Sequence, residues 1–183
     1  NVSQSCRFWP SLMQSVAMTS IARRAINTQG HVIICGYGRS GQNLARLLEP
    51  ERIPYMALDL DPDRVRQAAA AGQSVVFGDA ARLQSLMAAG LARAAAVVVS
   101  YHDTPSALRI LALVQSHAPK VPVVVRTMDD SDIDRLKAAG ATEDLLPGKS
   151  GDITTLEGET LKHTFLMGSD SYGRDVYSRV IYG

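Results

Sequence analysis

The stretch His31-Val-Ile-Ile-Cys-Gly-Tyr-Gly-Arg-Ser-Gly41 decides the fold of this chain. It begins with an apolar run typical of a buried strand and continues into a pattern of three glycines that predicts a turn into a helix. Gly36 lets the chain turn sharply, Gly38 leaves room for a pyrophosphate near the backbone, and Gly41 lets the helix pack closely on the strand. The free N–H groups at the start of that helix favour bound phosphates.

An acid at the end of the next apolar run supports the same interpretation. Asp59 closes the run Tyr55–Asp59, about 20 residues after the glycines, where a carboxylate binds the ribose hydroxyls of an adenine nucleotide. An acid there favours free hydroxyls over a 2′-phosphate. The alternative is a glycine-rich turn without a ligand. It leaves the combination of strand, glycines, helix and acid unexplained.

Continuous apolar runs alternate with segments of helical periodicity along the chain. Runs of this kind are typical of parallel strands covered on both faces. Strict alternation with short loops predicts an α/β fold, a doubly wound parallel sheet of the Rossmann type with strand order 3-2-1-4-5-6 and right-handed crossovers. The predicted strands are His31–Cys35, Tyr55–Asp59, Ser74–Phe77, Ala95–Ser100, Val121–Arg126 and a short sixth at Asp144–Leu146.

Length and composition bound the organisation of the chain. Its 183 residues suffice for one domain with a full core and short extensions. We expect that domain at 30–147, a partly helical linker at 1–29 with its helix around Leu12–Ile26, and an extension at 148–183 without the βα pattern. The two cysteines, Cys6 and Cys35, make no disulfide framework and favour a reducing compartment. No run reaches the ~20 apolar residues of a membrane helix, so we expect the domain itself to be soluble.

Three polar residues near the glycine turn have more than one interpretation. Arg39 either binds a phosphate or another anion, or points to solvent. Asp61, which precedes Pro62, is better explained as a helix N-cap than as a ligand. Asp79 either caps the next helix, contacts the adenine, or does both.

The principal alternative in function is an NAD-dependent oxidoreductase. Such an enzyme needs an acid or base beside the cofactor, and His102-Asp103 after the fourth strand is the candidate pair. The short extension after Pro147 leaves little chain for a substrate domain, so we favour a sensor without catalytic residues. No spacing indicates a metal site or a Walker loop. A net charge of +1 argues against a nucleic-acid partner.

Five segments taken together resemble the Trk/RCK (KTN) nucleotide-binding domain. They are Cys35-Gly-Tyr-Gly-Arg-Ser-Gly-Gln-Asn-Leu44, Leu58-Asp-Leu-Asp-Pro-Asp63, Val76-Phe-Gly-Asp-Ala80, Val121-Pro-Val-Val-Val-Arg-Thr127 and Leu136-Lys-Ala-Ala-Gly-Ala141. Gly-Asp-Ala after the third strand is a marker that ordinary dehydrogenases lack. The resemblance covers about 30–147 and is closest to the cytosolic domain of Kef-type potassium-efflux systems, members of the monovalent cation:proton antiporter-2 group.

This resemblance implies a regulatory domain on the cytoplasmic face of the inner (plasma) membrane. It would bind an adenine nucleotide (AMP, ATP or NAD(H)) and gate a membrane-embedded cation antiporter or channel, on the same or a separate chain. It also implies a homodimer, for which we expect the apolar surfaces Ala107–Val114 and the segment near Leu136 to form the contact. The positions that it assigns to the cofactor are Gly36, Tyr37, Gly38, Arg39, Ser40, Gly41, Asp59, Leu60, Asp79, Ala80, Ser100 and Tyr101.

One departure from the family pattern concerns a second ligand. Glutathione-gated members carry a further arginine two positions after the equivalent of Arg126, and Met128 stands there in this chain. The sequence therefore argues against regulation by glutathione.

Overall fold

Six strands form one parallel sheet. The structure is a computed structural model and describes residues 28–127, 130–145, 150–154 and 160–164. The sheet has the order β3-β2-β1-β4-β5-β6, and each neighbouring pair is parallel. This confirms the predicted fold class and strand order. The strands are β1 Val32–Cys35, β2 Tyr55–Asp59, β3 Val75–Phe77, β4 Ala96–Val99, β5 Val123–Arg126 and β6 Glu143–Leu145.

Helices connect the strands and cover both faces of the sheet. In β1, Ile33 and Cys35 belong to one buried cluster, whereas Val32 and Ile34 belong to another on the opposite face. Successive side chains of a strand point to opposite faces, so a strand covered on both sides must be apolar at every position. The helices are α1 Arg39–Leu48, α2 Pro62–Ala70, α3 Leu83–Ala88, α4 Thr104–His117 and α5 Asp130–Ala138, with a 3₁₀ turn at Leu91–Arg93.

The expected dimer surface on α4 is wrong. Its apolar side chains are buried in the chain's own core, because this stripe of the helix packs on the sheet. Leu136 of α5 is buried in the same cluster. Apolar periodicity identifies the face of a helix that is covered, but it does not tell whether the cover is the same chain or another. The buried residues of α4 are Ala107, Ile110, Leu111 and Val114.

The interpretation of Asp61 as a helix N-cap is confirmed. Its carboxylate accepts hydrogen bonds from the backbone N–H groups of Asp63 and Arg64 at 3.0 and 3.2 Å. Pro62 follows as the first residue of α2, where the lack of an N–H group costs nothing. The start of α2 is therefore fixed directly behind the end of β2.

Part of the C-terminal extension forms an antiparallel pair. Strand β7, Ser150–Thr154, pairs with β8, Thr160–Thr164. The predicted helix at Leu12–Ile26 and Met128 lie outside the described residues, and the division of the chain at 30 and 147 stays a prediction. Among the described helices, none combines the length and the apolar character that crossing a membrane requires.

Candidate nucleotide-binding site

The carboxyl ends of the strands frame a cleft of about 320 Å³. Strand β1 lies between β2 and β4, so the chain leaves β1 and β4 toward opposite faces and opens a crevice between them. Ligands of doubly wound sheets bind at such a switch point. The cleft is lined by Gly36, Gly38, Leu58, Asp59, Leu60, Arg64, Gly78, Asp79, Ala80, Tyr101, Asp103 and Ser106.

The three glycines of the turn differ in what surrounds them. Gly36 has a φ of +93°, and a Cβ there would approach Cδ1 of Tyr101 to 2.6 Å. A Cβ on Gly41 would collide with the carbonyl oxygen of Gly36, so this glycine allows the close contact between α1 and β1. A Cβ on Gly38 would meet no atom of the described residues within 4 Å. Gly36 and Gly41 are therefore required by the fold, whereas Gly38 borders the open cleft.

Tyr37 and Ser100 stabilise the glycine turn. The ring of Tyr37 is 1% exposed and packs in the same buried cluster as Leu44 and Leu48 of α1. The hydroxyl of Ser100 donates to the carbonyl oxygen of Gly36 at 2.8 Å. Both belong to the predicted site, and the structure places them where they position the turn, with the side chain of Tyr37 directed into the core.

Arg39 and Ser40 are the first two residues of α1. Gly38 precedes them in extended conformation, and its carbonyl oxygen accepts the N–H group of Gln42 at 2.9 Å. The first N–H groups of a helix have no partner within the helix and suit an anion. The side chain of Arg39 is exposed and is not part of the cleft lining.

Asp59 lies in the cleft as predicted, and its carboxylate is surrounded by donors of the same chain. It is only 5% exposed. The N–H group of Tyr37 donates to Oδ2 at 2.5 Å, and the N–H group of Asp61 donates to Oδ1 at 2.8 Å. Nη1 of Arg64 lies 2.9 Å from both carboxylate oxygens. The sequence reasoning missed Arg64. The Asp61 cap places it in the first turn of α2, but its contact with Asp59 depends on how that helix is rotated relative to the end of β2.

The cleft lining also includes Asp79, Ala80 and Tyr101. Asp79 accepts the N–H group of Ala81 at 2.9 Å. Helix α3 begins only at Leu83 with Arg82 as its N-cap. Of the two interpretations of Asp79, the helix cap is therefore wrong, because the chain makes an additional turn before α3. The contact with adenine stays a prediction. Leu60, which follows Asp59 directly, also lines the cleft and is 60% exposed.

Tyr101 enters the cleft as a neutral phenol. Burial raises the pKa of Tyr101 to about 12, since the charged phenolate is disfavoured away from water. Its hydroxyl shares a hydrogen bond of 2.8 Å with the hydroxyl of Ser106. The ring thus offers an apolar face beside Gly36 together with a polar edge.

A second cavity of about 230 Å³ adjoins the cleft and shares Tyr101 and Asp103 with it. Here Nε2 of His102 contacts Nη1 of Arg126. Burial, followed by the charge of Arg126, lowers the pKa of His102. The histidine that an oxidoreductase would use therefore lies beside an arginine in the neighbouring cavity. Within the described part of the chain, no group of His, Cys, Asp or Glu is arranged to hold a metal.

The fold and the cleft define a doubly wound domain with the glycine turn of dinucleotide-binding proteins. The TrkA-N domain matches residues 32–147, and the chain belongs to this family. It is 44% identical over 115 residues to a candidate K(+) efflux antiporter KefB from Alkalimonas amylolytica, covering 63% of this chain and 17% of that protein. The chain thus spans less than a fifth of the length of this curated relative.

Solved structures agree with this family. The Kef CTD from Shewanella denitrificans, in AMP-bound form, is 33% identical with a TM-score of 0.56, covering 62% of this chain and 68% of that one. The TrkA-N domain of the inner membrane protein ybaL from Escherichia coli has a TM-score of 0.62 at 23% identity, covering 66% and 89%. The latter similarity shows the fold alone.

Proposed function

We propose that residues 30–147 form a regulatory domain that binds an adenine nucleotide and gates a potassium-efflux or cation:proton antiport system. The observation that carries this proposal is the cleft at the switch point of the sheet, where Gly38 and Asp59 stand together. The similarity to a Kef CTD in AMP-bound form supports AMP as a ligand, and ATP and NAD(H) share its adenosine phosphate.

Three groups of residues around the cleft contact the three parts of the nucleotide. The phosphates lie against Gly36 and Gly38 at the start of α1, with Arg39 and Ser40 beside them. The ribose lies at Asp59 and Leu60. The adenine lies near Asp79 and Ala80, and the ring of Tyr101 faces the nucleotide from the other side. Tyr37, Gly41 and Ser100 hold the turn in place.

The membrane partner is a cation antiporter or channel, on the same or a separate chain, and the domain works at the cytoplasmic face of the membrane as a homodimer. Similarity to a KefB protein supports this partner. A nucleotide shifts the equilibrium between two arrangements only through the difference in its affinity for them, so tight binding alone gates nothing. Arg126 is present, but Met128 stands two positions after it in place of the second arginine, so glutathione is not the proposed signal.

An oxidoreductase is the weaker alternative. The placement of His102 beside Arg126 in the second cavity favours a non-catalytic role. Incubation of the protein with NADH and a panel of small aldehydes and ketones separates the two functions. We expect no consumption of NADH above that of a buffer control.

Titration calorimetry with AMP tests the proposed function in wild type, Asp59→Ala and Asp63→Ala. We expect the loss of Asp59 to weaken AMP binding by about 1–3 kcal/mol, the range for hydrogen bonds to a charged group. Asp63 is an exposed acid on α2 outside the cleft lining, so its loss removes the same charge and leaves affinity unchanged. Absence of binding to AMP, ATP and NAD(H) by the wild type would contradict the proposal.

A further inference from the structure

Arg64 is the cationic side chain in the lining of the described cleft. It lies in the first turn of α2, directly behind the Asp61 cap. Its side chain is 38% exposed, whereas its partner Asp59 is 5% exposed. The guanidinium thus bridges the buried carboxylate and the open space of the cleft.

The geometry of this pair resembles the way in which a ribose binds a carboxylate. Nη1 of Arg64 lies 2.9 Å from Oδ1 and 2.9 Å from Oδ2 of Asp59. In ribose recognition, donors in this position are the hydroxyls of the nucleotide. A carboxylate has about four acceptor positions. The N–H groups of Tyr37 and Asp61 occupy two of them, and Nη1 of Arg64 contacts both oxygens at those that remain.

We propose that Arg64 is a specificity-determining residue that competes with the ribose hydroxyls for Asp59. This inference rests on the proposed function, since it requires that Asp59 binds ribose. A nucleotide reaches the carboxylate only when Nη1 moves away. The ion pair therefore lowers the affinity of the domain for ribose and reduces the preference for a ribonucleotide over its 2′-deoxy analogue.

Asp61 provides an ion-pair partner for the guanidinium of Arg64 after a ribose has displaced it from Asp59. Nη2 of Arg64 lies 3.0 Å from Oδ2 of Asp61, while Oδ1 of Asp61 caps α2. A rotation of the guanidinium about this contact removes Nη1 from Asp59 and preserves one ion pair.

If Arg64 contributes to nucleotide binding, its removal should change the affinity in the opposite direction. If the guanidinium bound the nucleotide directly, for example through a phosphate, its removal would weaken all phosphorylated ligands. Comparison of AMP with 2′-deoxy-AMP separates the two roles, because both ligands carry the same phosphate. They differ only in the hydroxyl that would donate a hydrogen bond to Asp59.

Titration calorimetry of the full chain with AMP and 2′-deoxy-AMP tests the inference in wild type, Arg64→Met and Arg66→Met. Arg66 is the matched control, because it lies on the same helix, pairs with exposed Asp63 and is outside the cleft lining. We expect Arg64→Met to raise the ratio of the Kd for 2′-deoxy-AMP to the Kd for AMP about tenfold, or about 1.4 kcal/mol. Arg66→Met should leave the ratio as in wild type.

Arg64→Lys is a second variant that controls for loss of the fold, because it keeps a positive charge beside Asp59. We expect a smaller rise in the ratio of the two Kd values than in Arg64→Met. Circular dichroism establishes that each variant is folded. An unchanged or lower ratio in both Arg64 variants, with AMP still bound by wild type, overturns the role of Arg64 and leaves the proposed function intact. Failure of wild type and all variants to bind either nucleotide overturns the proposed function and this inference together.

Discussion

Gly38 differs from the other two glycines of the turn in the reason for its small size. Gly36 and Gly41 are restricted by atoms of the protein, namely the ring of Tyr101 and the carbonyl oxygen of Gly36. Gly38 has a φ of −70°, which any residue adopts, and open space in place of a Cβ. The same spacing pattern thus combines two structural glycines with one that leaves room for a ligand.

Gly38→Val should therefore abolish binding of AMP while leaving the fold intact. The valine side chain would occupy the space that the phosphates need, whereas its Cβ would have no described protein atom within 4 Å. We expect a loss of affinity of more than about 100-fold, or 2.7 kcal/mol, measured by calorimetry. The thermal midpoint without ligand should stay close to that of wild type. Normal affinity in this variant would place the phosphates elsewhere.

The residues of the candidate site were predictable where a local backbone requirement determines the residue type. They were less predictable where a role depends on contacts between side chains of different elements. The glycines, Asp59 and the Asp61 cap follow from spacing alone, because each satisfies a local requirement of the turn or the helix. The Arg64 contact depends on how α2 is rotated relative to the end of β2. The role of Asp79 depended on one additional turn before α3. Such details depend on tertiary geometry that the sequence pattern does not contain.

At the scale of elements, the strands were predictable because burial on both faces leaves a continuous apolar run. Periodicity was a weaker guide to which apolar residues of a helix are buried. Periodicity groups Leu83, Leu86 and Met87 of α3, yet Leu86 is buried and Met87 is 49% exposed. In a helix of six residues, a single apolar stripe covers little of the circumference, so one of its members faces solvent.

His31 connects β1 to the segment after α3. Its ring is fully buried, and its Nε2 lies 2.7 Å from the carbonyl oxygen of Ala89. Burial lowers the pKa of His31 from its ordinary value of 6.5; the hydrogen bond to Ala89 opposes this, and the charge of Arg93 adds to it. The folded chain therefore keeps a neutral histidine at a pH where the unfolded chain takes up a proton.

This difference predicts a loss of stability in acid. Where the unfolded state binds more protons, the free energy of unfolding falls as the pH falls. The effect begins near pH 6.5 and ends below the pKa of the folded state. We expect the unfolding free energy of wild type, measured by urea denaturation, to fall more between pH 7.5 and pH 5 than that of His31→Gln.

His117→Gln provides the control for this measurement. The substitution is chemically the same, but His117 is exposed at the end of α4. We expect this variant to retain the pH dependence of wild type. If His31→Gln shows the same pH dependence as wild type, the buried histidine does not contribute to acid sensitivity.

At the scale of the whole molecule, the burial of the α4 stripe changes where a second copy can bind. The apolar residues that the sequence offered for a dimer are used to cover the sheet. The large apolar side chains that stay exposed in the described residues are Leu60, Phe77 and Met87. Leu60 borders the cleft itself, so a contact there would be sensitive to the ligand.

We expect a homodimer whose association depends on bound nucleotide. Symmetric dimers are the commonest assemblies of soluble proteins, and a sensor needs a second arrangement whose population a ligand can change. A coupling of about 1–3 kcal/mol between nucleotide binding and association suffices for a useful switch, and it changes the dimerisation constant by about 5- to 150-fold. By reciprocity, association must change the affinity for nucleotide by the same factor.

Light scattering over a concentration series, with and without AMP, measures this coupling in wild type and Gly38→Val. In wild type, AMP should shift the concentration at which half of the chains are dimeric. In Gly38→Val, which should not bind AMP, the two curves should coincide, because a ligand that does not bind cannot bias an equilibrium. A strictly monomeric mass at high micromolar concentration under both conditions would contradict the dimer. A dimer whose association is indifferent to AMP would contradict the coupling, and the proposed gating would then have to act through a contact with the proposed membrane partner.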